Sequence, residues 1–249
     1  MENPDRFAAL SEIWVYLSAS PLLGLTATLA AYGLAYRVSR AARFHPLANP
    51  VALSVLLLGT ALHLSQPPYA RYFEGAQFVH FLLGPATVAL AVPLYEQTAR
   101  LRRLAWPLLA GLVAGSLAGA ISAVGLAHAL GASPQTLASL APKSVTTPVA
   151  MGISQALGGL PSLTAVLVVI TGVLGATMGR WLFDRMGLHD PAVRGFALGV
   201  AAHGIGTARA FQVDETMGAF AGLAMGLTAL FSALFLPPLL GMMMPLLFG

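Results

Sequence analysis

Lys143 is the residue whose type and position most strongly indicate chemistry. It is the single lysine among the 13 lysine and arginine residues of the chain. The hydroxyl residues Ser144, Thr146 and Thr147 follow it, and then Pro148. An ammonium beside hydroxyls and the free amide ends of a helix start forms a carboxylate-sized anion site. The alternative is a lysine that extends its amine to water.

A second candidate site lies between residues 202 and 209, in the run Ala-His-Gly-Ile-Gly-Thr-Ala-Arg. Gly204 and Gly206 loosen a helix and permit close backbone approach. Histidine is the side-chain type that can change its charge near neutral pH, which applies to His203, and Thr207 adds a hydroxyl. Arg209 carries a forked donor that matches a carboxylate. The alternative is that His203 is a hydrogen-bonded packing residue and Arg209 caps a helix end.

Motifs for enzymatic chemistry are missing from the sequence. We find no nucleophile triad, paired catalytic carboxylates, phosphate-binding glycine loop or zinc motif, and the chain has no cysteine. We therefore expect a protein that is not an enzyme and holds no metal or cofactor. The net charge of +4 comes from arginine clusters between apolar runs. These clusters indicate membrane topology rather than binding to nucleic acid.

The composition predicts the elements that must position these residues. Hydrophobic residues make up 57% and charged residues 9% of the chain, whereas soluble domains average about 25% charged residues. Runs of about 20 apolar residues can cross roughly 30 Å of hydrocarbon. We predict an all-α polytopic membrane protein with one transmembrane domain over 1–249 and about eight spans, some discontinuous. The principal runs cover about 21–36, 50–64, 76–95, 106–126, 160–183, 191–210 and 217 to the C-terminus. A polar loop is predicted over 65–74, and Pro237 with Pro238 is predicted to break the last run.

Basic clusters beside short loops mark the cytoplasmic side. The clusters at 37–43, 100–103 and 180–185 should all lie there. The stretch 127–157 must then enter and leave from the outer side, as a re-entrant hairpin or as two short spans. Irregular backbone at such depth survives only when it is buried in protein or lines water.

Two segments share a Pro-x-hydroxyl-Val start, at Pro85 with Thr87 and at Pro142 with Ser144. Each segment meets a second proline and is followed by a Pro-initiated, Gly-rich span at Pro107 or at Pro161. If 127–141 crosses as a short span, the two units face opposite ways, and the pattern predicts an inverted repeat of units about 45–126 and 127–183 with discontinuous helices. Secondary transporters place their substrate site in such an arrangement.

Long runs of the chain resemble the LrgB/CidB family between about Ser20 and Leu236. The matching runs are 84–93 (GPATVALAVP), 141–151 (APKSVTTPVAM), 158–166 (GGLPSLTAV), 190–195 (DPAVRG) and 202–210 (AHGIGTARA). Two positions depart from the family's pattern. Ala202 stands where Ser or Thr is common, and residues 152–155 (GISQ) lack the usual acidic residue.

The resemblance implies two alternative functions. Bacterial members are described as antiholin-like regulators of murein hydrolase activity and lysis, acting with an LrgA/CidA-type membrane partner. A plant member is a plastid glycolate/glycerate translocator, and bacterial pairs are linked to pyruvate uptake. The residues favour transport, because a holin needs only helices that oligomerise and has no need of a buried lysine or of broken helices.

We therefore predict a secondary transporter of small 2-hydroxy and 2-oxo monocarboxylates such as glycolate, glycerate, pyruvate and lactate. We expect it in the bacterial inner membrane, in contact with lipid, as a homodimer and with an LrgA/CidA-type partner. The predicted substrate-binding residues are Lys143, Ser144, Thr146, Thr147, Pro148, His203, Gly204, Gly206, Thr207, Arg209, Pro85 and Thr87.

Overall fold

The computed structural model describes residues 21–45, 48–82, 85, 88–89 and 91–248. The described residues form helices and connecting turns, without a strand. They divide into two compact units, Met1–Thr87 and Val88–Gly249.

The first unit contains three described helices, α1 (Pro21–Ala41), α2 (Pro50–Ser65) and α3 (Tyr69–Phe81). α1 packs against both α2 and α3. The Asn49 side chain caps α2 by accepting hydrogen bonds from the amides of Val51 and Ala52. The first two predicted spans are helices as expected, while the loop predicted after the second span is shorter because α3 already begins at Tyr69.

The second unit begins with the short helix α4 and the long helix α5. Two short helices, α6 and α7, follow, and three longer helices complete the chain. The bounds are α4 Ala91–Glu96, α5 Thr98–Ala129, α6 Pro134–Leu140, α7 Thr147–Ala156, α8 Pro161–Arg185, α9 Pro191–Val213 and α10 Glu215–Phe248.

Three of the described helices are long and apolar enough to cross a membrane: α5, α8 and, over Glu215–Met243, α10. Large apolar side chains such as Trp106, Leu126 and Met242 lie exposed on these helices, as lipid contact requires. The all-α membrane class is thus supported. The count of eight spans, the single domain and the pairing of 45–126 with 127–183 remain predictions.

Two predicted helix boundaries at prolines are wrong. Pro107 lies inside α5, nine residues after its start, instead of beginning a span. α10 continues through Pro237 and Pro238 without interruption. Proline removes a backbone donor, but neighbouring helices in a membrane bundle keep such a helix continuous. Pro161 does begin its helix, as predicted.

α5 and α10 run in the same direction. Leu108, in the first half of α5, shares a buried cluster with Phe220 near the start of α10. Val124 shares another with Leu240 near their ends. The buried residues recur every fourth position on each helix, so the two helices face each other along most of their lengths.

The stretch 191–210 is not a crossing span, contrary to our prediction. α9 leaves helical geometry at Ala202 (φ −128°, ψ 17°) and His203 (φ 40°, ψ −135°). A Cβ on Gly206 would lie 2.9 Å from the carbonyl oxygen of Leu198. Eight residues of a straight helix would separate these positions by about 12 Å. α9 is therefore two half-helices that fold back on each other.

The start of α10 lies beside the first half of α9. A Cβ on Gly195 would overlap the carbonyl oxygen of Met217, and one on Gly199 would overlap that of Ala221. The start of α10 therefore lies at the same end of the unit as the start of α9. α9 is a re-entrant hairpin, which we call the α9 hairpin.

α6 and α7 form a second hairpin, the α6–α7 hairpin. With 7 and 10 residues, they are roughly 10 and 15 Å long. Neither helix can cross about 30 Å of hydrocarbon. Of the two alternatives for 127–157, the lengths fit a re-entrant hairpin.

Ion pairs hold three helix ends together at one end of this unit. Arg100 near the start of α5 pairs with Asp190, which caps α9, at 2.5 Å. Arg194 pairs with Asp184 near the end of α8. The clusters at 100–103 and 180–185 therefore lie on the same side, in agreement with the topology prediction. Because α5 ends and α8 begins at the opposite end, the two hairpins enter from opposite ends.

Candidate anion-binding site between two hairpins

The tip of the α6–α7 hairpin, residues 141–146, reaches α8 at Val168. Val145 and Ala150 form a buried cluster with Val168, and Ala229 of α10 packs against this cluster. The neighbouring Ser144 faces α5, since its Oγ lies 3.8 Å from the position of a Cβ on Gly119. Three long helices thus surround this tip.

The tip of the α9 hairpin reaches the same part of α8. The Nε2 atom of His203 lies 2.9 Å from the carbonyl oxygen of Val168, and the side chain is 4% exposed. A carbonyl oxygen only accepts, so Nε2 carries the hydrogen and Nδ1 is free to accept. Gly172 makes room for the ring, because a Cβ there would lie 2.7 Å from its Cε1 atom.

The two tips therefore meet near the middle of the long helices. On α8 the contacts of the two tips are Val168 and Gly172, one helical turn apart. On α10 they are Ala229 and Met225, whose Sδ lies 3.7 Å from the position of a Cβ on Gly204. One turn is about 5.4 Å, so the two tips contact α8 and α10 at neighbouring levels.

Lys143 is partly buried at the tip of the α6–α7 hairpin. Its Nζ atom donates to the Oγ of Ser144 at 3.2 Å. Among the residues that the structure describes, no carboxylate lies within ion-pair distance of it. An ammonium has three donors, so two remain for an anion. A partly buried cation of this kind attracts negative charge strongly.

Both tips also present the start of a helix. α7 begins at Thr147, and its N-cap residue Thr146 makes no side-chain capping bond. Pro148 in the first turn has no amide hydrogen of its own. The second half of α9 begins at Gly204. Helix starts have unpaired amide hydrogens and a positive dipole end, and here two of them approach each other from opposite sides.

Thr207 and Gly206 shape the α9 tip instead of facing the space between the tips. The Thr207 hydroxyl donates to the carbonyl oxygen of His203 at 2.9 Å. Gly206 lets the second half of α9 approach Ala202 and Leu198. Both residues thereby stabilise the reversal.

Arg209 lies nearly two turns beyond the tip, where it donates to Gln212 at 3.2 Å. The structure does not bring it to the other candidates. Pro85 belongs to the Met1–Thr87 unit, and Thr87 lies outside the described residues. A role for these three residues in binding stays a prediction.

Comparison with known proteins agrees with the resemblance seen in the sequence. The LrgB-like family matches residues 28–242, which include both hairpins. The chain belongs to the LrgB-like family. This match spans most of the 249 residues, so the membership concerns the whole unit that carries the site.

Relatives in three bacteria cover most of the chain. YxaC of Bacillus subtilis (strain 168) is 36% identical over 192 residues, 77% of this chain and 84% of its own length. A protein of Haemophilus influenzae (strain Rd) is 34% identical over 189 residues, 76% and 82% of the two chains. Antiholin-like protein LrgB of Bacillus cereus (strain B4264) is 28% identical over 218 residues, 88% and 95%. No solved structure matches the chain.

Sequence reasoning missed a group of hydroxyls that joins the α6–α7 hairpin to α8. The Thr164 hydroxyl lies 3.0 Å from the carbonyl oxygen of Ser139 and 2.7 Å from the Oγ of Ser154. The amide of Leu160 donates to the Oγ of Ser139 at 2.7 Å. The sequence signal that could have predicted this group is the presence of hydroxyl residues at 139, 154 and 164 within apolar segments.

Two further hydroxyls, Ser116 on α5 and Thr228 on α10, were also missed. Both are buried, and neither oxygen has a hydrogen-bond partner among the described residues. Buried polar groups are nearly always paired. Single hydroxyls within long apolar helices carry no local signal of this kind, so the sequence did not single them out.

Proposed function

We propose that this protein is a secondary transporter of small 2-hydroxy and 2-oxo monocarboxylates. The substrate lies between the tips of the two hairpins. Its carboxylate accepts from Lys143, from the hydroxyls beside it and from the amide hydrogens at the starts of α7 and of the second half of α9. The bacterial inner membrane is the proposed location, with the long helices crossing it several times.

The meeting of the two tips at Val168 is the observation that carries this proposal. One tip packs on the Val168 side chain and the other bonds to its carbonyl oxygen. Val168 lies seven residues after the start of the 25-residue helix α8, and Gly172 lies near its midpoint. Hairpins that enter from opposite ends and stop part-way are the means by which transporters bind a substrate at mid-membrane.

We further propose an inverted repeat that differs from the pairing predicted from sequence. Residues 134–185 comprise a hairpin and the long helix α8, and residues 191–248 comprise a hairpin and the long helix α10. The two hairpins enter from opposite ends of the unit. Alternating access would follow from opening one hairpin at a time.

Uptake of labelled glycolate or pyruvate into proteoliposomes tests transport. We expect saturable uptake by the parent and a fall of at least about tenfold in Lys143→Gln, because the amide lacks the charge that the carboxylate requires. The control is Arg102→Gln, which removes an exposed cation near the start of α5. Uptake in Lys143→Gln equal to that of the parent would show that the site is wrongly assigned.

An antiholin-like regulator of murein hydrolase activity and lysis is the second candidate function. It is favoured by the name of the Bacillus cereus relatives, antiholin-like protein LrgB. Such a protein needs no substrate, so carboxylates should not change its melting temperature. A ligand that binds only the folded protein at 100 times its Kd stabilises by about 2.7 kcal/mol. A thermal-shift series with glycolate and pyruvate separates the two candidates.

We also propose a homodimer that works with an LrgA/CidA-type membrane partner. The partner requirement is tested by reconstituting the protein alone and together with such a partner. Uptake that needs both proteins would establish the pair as the functional unit. Light scattering on the purified protein would give the number of subunits.

A further inference from the structure

The unpartnered hydroxyls of Ser116 and Thr228 are the strongest remaining feature of the second unit. Ser116 is 7% exposed and Thr228 is 1% exposed. The oxygen of each has no hydrogen-bond partner among the residues that the structure describes. Leaving a buried hydroxyl unpaired is unfavourable, so such a group requires an explanation.

Several hydroxyls on α8 and α9 instead find a hydrogen-bond partner within their own helix. They donate to the carbonyl oxygen one turn back, the usual bond of Ser and Thr in apolar helices. Examples are Thr164, Thr171, Thr177 and Thr207. The oxygens of Ser116 and Thr228 make no such bond, which leaves both hydroxyls without a partner among the described residues.

Ser116 lies between the two hairpin tips along α5. A Cβ on the preceding Gly115 would lie 3.1 Å from the Cγ1 of Val200, two residues before the α9 tip. Gly119, nearly one turn further, faces Ser144 of the other tip. Positions three apart share a helix face, so Ser116 lies on the side of α5 that faces Ser144.

Thr228 has the matching position along α10. Met225 contacts the α9 tip at Gly204, and Ala229 packs against the cluster of Val145 in the α6–α7 tip. Thr228 lies between these two contacts and belongs to the buried face that α10 directs at α5. The two unpartnered hydroxyls therefore lie on facing helices, between the levels at which the two tips contact those helices.

We infer that Ser116 and Thr228 bind the 2-hydroxyl or 2-oxo oxygen of the substrate and determine its specificity. This inference rests on the proposed transport function. The carboxylate is matched by Lys143 and the helix starts, whereas a neutral oxygen needs neutral partners. A hydroxyl donates to a keto oxygen and both donates to and accepts from another hydroxyl. Two hydroxyls therefore accommodate both classes of substrate.

Binding of matched ligand pairs to the purified full-length protein tests the inference. Glycolate differs from acetate by the 2-hydroxyl, and pyruvate differs from propionate by the 2-oxo oxygen. By isothermal titration, we expect the parent to bind the oxygenated member of each pair at least about tenfold more tightly, because its absence leaves buried hydroxyls unpaired.

Ser116→Ala and Thr228→Val should remove this preference while leaving acetate and propionate affinities within about twofold. The melting temperature without ligand should stay equal or rise, because an unpaired buried hydroxyl is removed. Thr228→Ser keeps a hydroxyl and should keep the preference. Thr171→Val is the control, since its hydroxyl donates to Leu167 at 2.8 Å in its own helix.

Each outcome has a distinct meaning. A parent that binds glycolate and acetate equally would overturn this inference and leave the transport proposal intact. A parent that binds neither would overturn the transport proposal itself. An unchanged preference in both variants would show that other residues read the 2-oxygen. If Thr228→Val does not fold, the test uses Ser116→Ala, which should lose the preference for the oxygenated ligand, and Thr228→Ser, which should keep it.

Discussion

The two hairpins have a similar shape but are built in different ways. The α6–α7 hairpin reverses over a tip of six residues, 141–146, between its two helices. The α9 hairpin reverses at Ala202 and His203, with helix immediately on either side. The first tip is rich in hydroxyls and contains the lysine. The second depends on one histidine in a strained backbone conformation.

Polar bonds hold the base of the α6–α7 hairpin. Thr164 of α8 lies within hydrogen-bonding distance of both Ser139 on α6 and Ser154 on α7. A hydroxyl has a single hydrogen, so it can donate to only one of them at a time. Bonds of this kind can break and reform without leaving a cavity.

Close backbone packing holds the α9 hairpin. Gly195 and Gly199 lie directly against backbone carbonyls at the start of α10, and Gly206 lies against the carbonyl of Leu198. Tight packing makes displacement of this hairpin costly, because each contact that is lost leaves a gap. We therefore expect the α6–α7 hairpin to tolerate substitution and movement better than the α9 hairpin.

Glycine-to-alanine substitutions test this contrast with the largest expected effect. Gly195→Ala should lower the free energy of unfolding by more than about 3 kcal/mol, because the added Cβ would overlap the carbonyl oxygen of Met217. Gly152→Ala, on α7, meets nothing within 4 Å and should be neutral or stabilising. Yield in detergent and melting temperature measure both. Equal effects would remove the difference between the hairpins.

Substitution of His203 should have the next largest effect. His203→Val loses the bond to Val168 and places a β-branched residue at φ 40°, which together should lower stability by about 2–3 kcal/mol. His203→Gly also loses the bond but relieves the backbone, so its stability should stay within about 1 kcal/mol of the parent. Thermal unfolding distinguishes them. If glycine is as damaging as valine, the backbone is not strained.

Thr164→Val should have the smallest of these effects, about 1–2 kcal/mol, because it removes the hydroxyl that bonds to Ser139 and Ser154. Thr171→Val removes only a bond within α8 and should change stability by less than half as much. Hydrogen exchange of the α6 and α7 amides should rise in the first variant only. Unchanged exchange would mean that apolar packing alone holds this hairpin.

Local patterns were sufficient where the site depends on residue type. The single lysine within a run of hydroxyls predicted the α6–α7 tip, because a cation in an apolar region needs a compensating environment. The combination of His203 with Gly204 and Gly206 pointed to the α9 tip. Helix starts at Pro134, Pro161 and Pro191 follow the preference of proline for the first helical turn.

Local patterns failed where neighbouring helices decide the outcome. The stretch 191–210 reads as a Gly-rich span because its interior lacks proline and acidic residues. Its reversal depends on Gly172 and Gly175 of α8, which make room for His203 and Ala202. The opposite error occurred at Pro107 and Pro237, where the sequence predicted a helix boundary. Both helices are continuous there, because a packed bundle stabilises them.

By itself the sequence determined that this is an all-helical membrane protein with one lysine in a run of hydroxyls, because composition and short-range spacing are properties of the chain alone. Only the tertiary structure decided that α9 turns back, that both tips meet at Val168, and that Ser116 and Thr228 lie between them. A hydroxyl on an apolar helix either bonds to the backbone of its own helix or stays unpaired. The residues that neighbouring helices place beside it decide between the two. That choice depends on contacts between residues far apart in the chain.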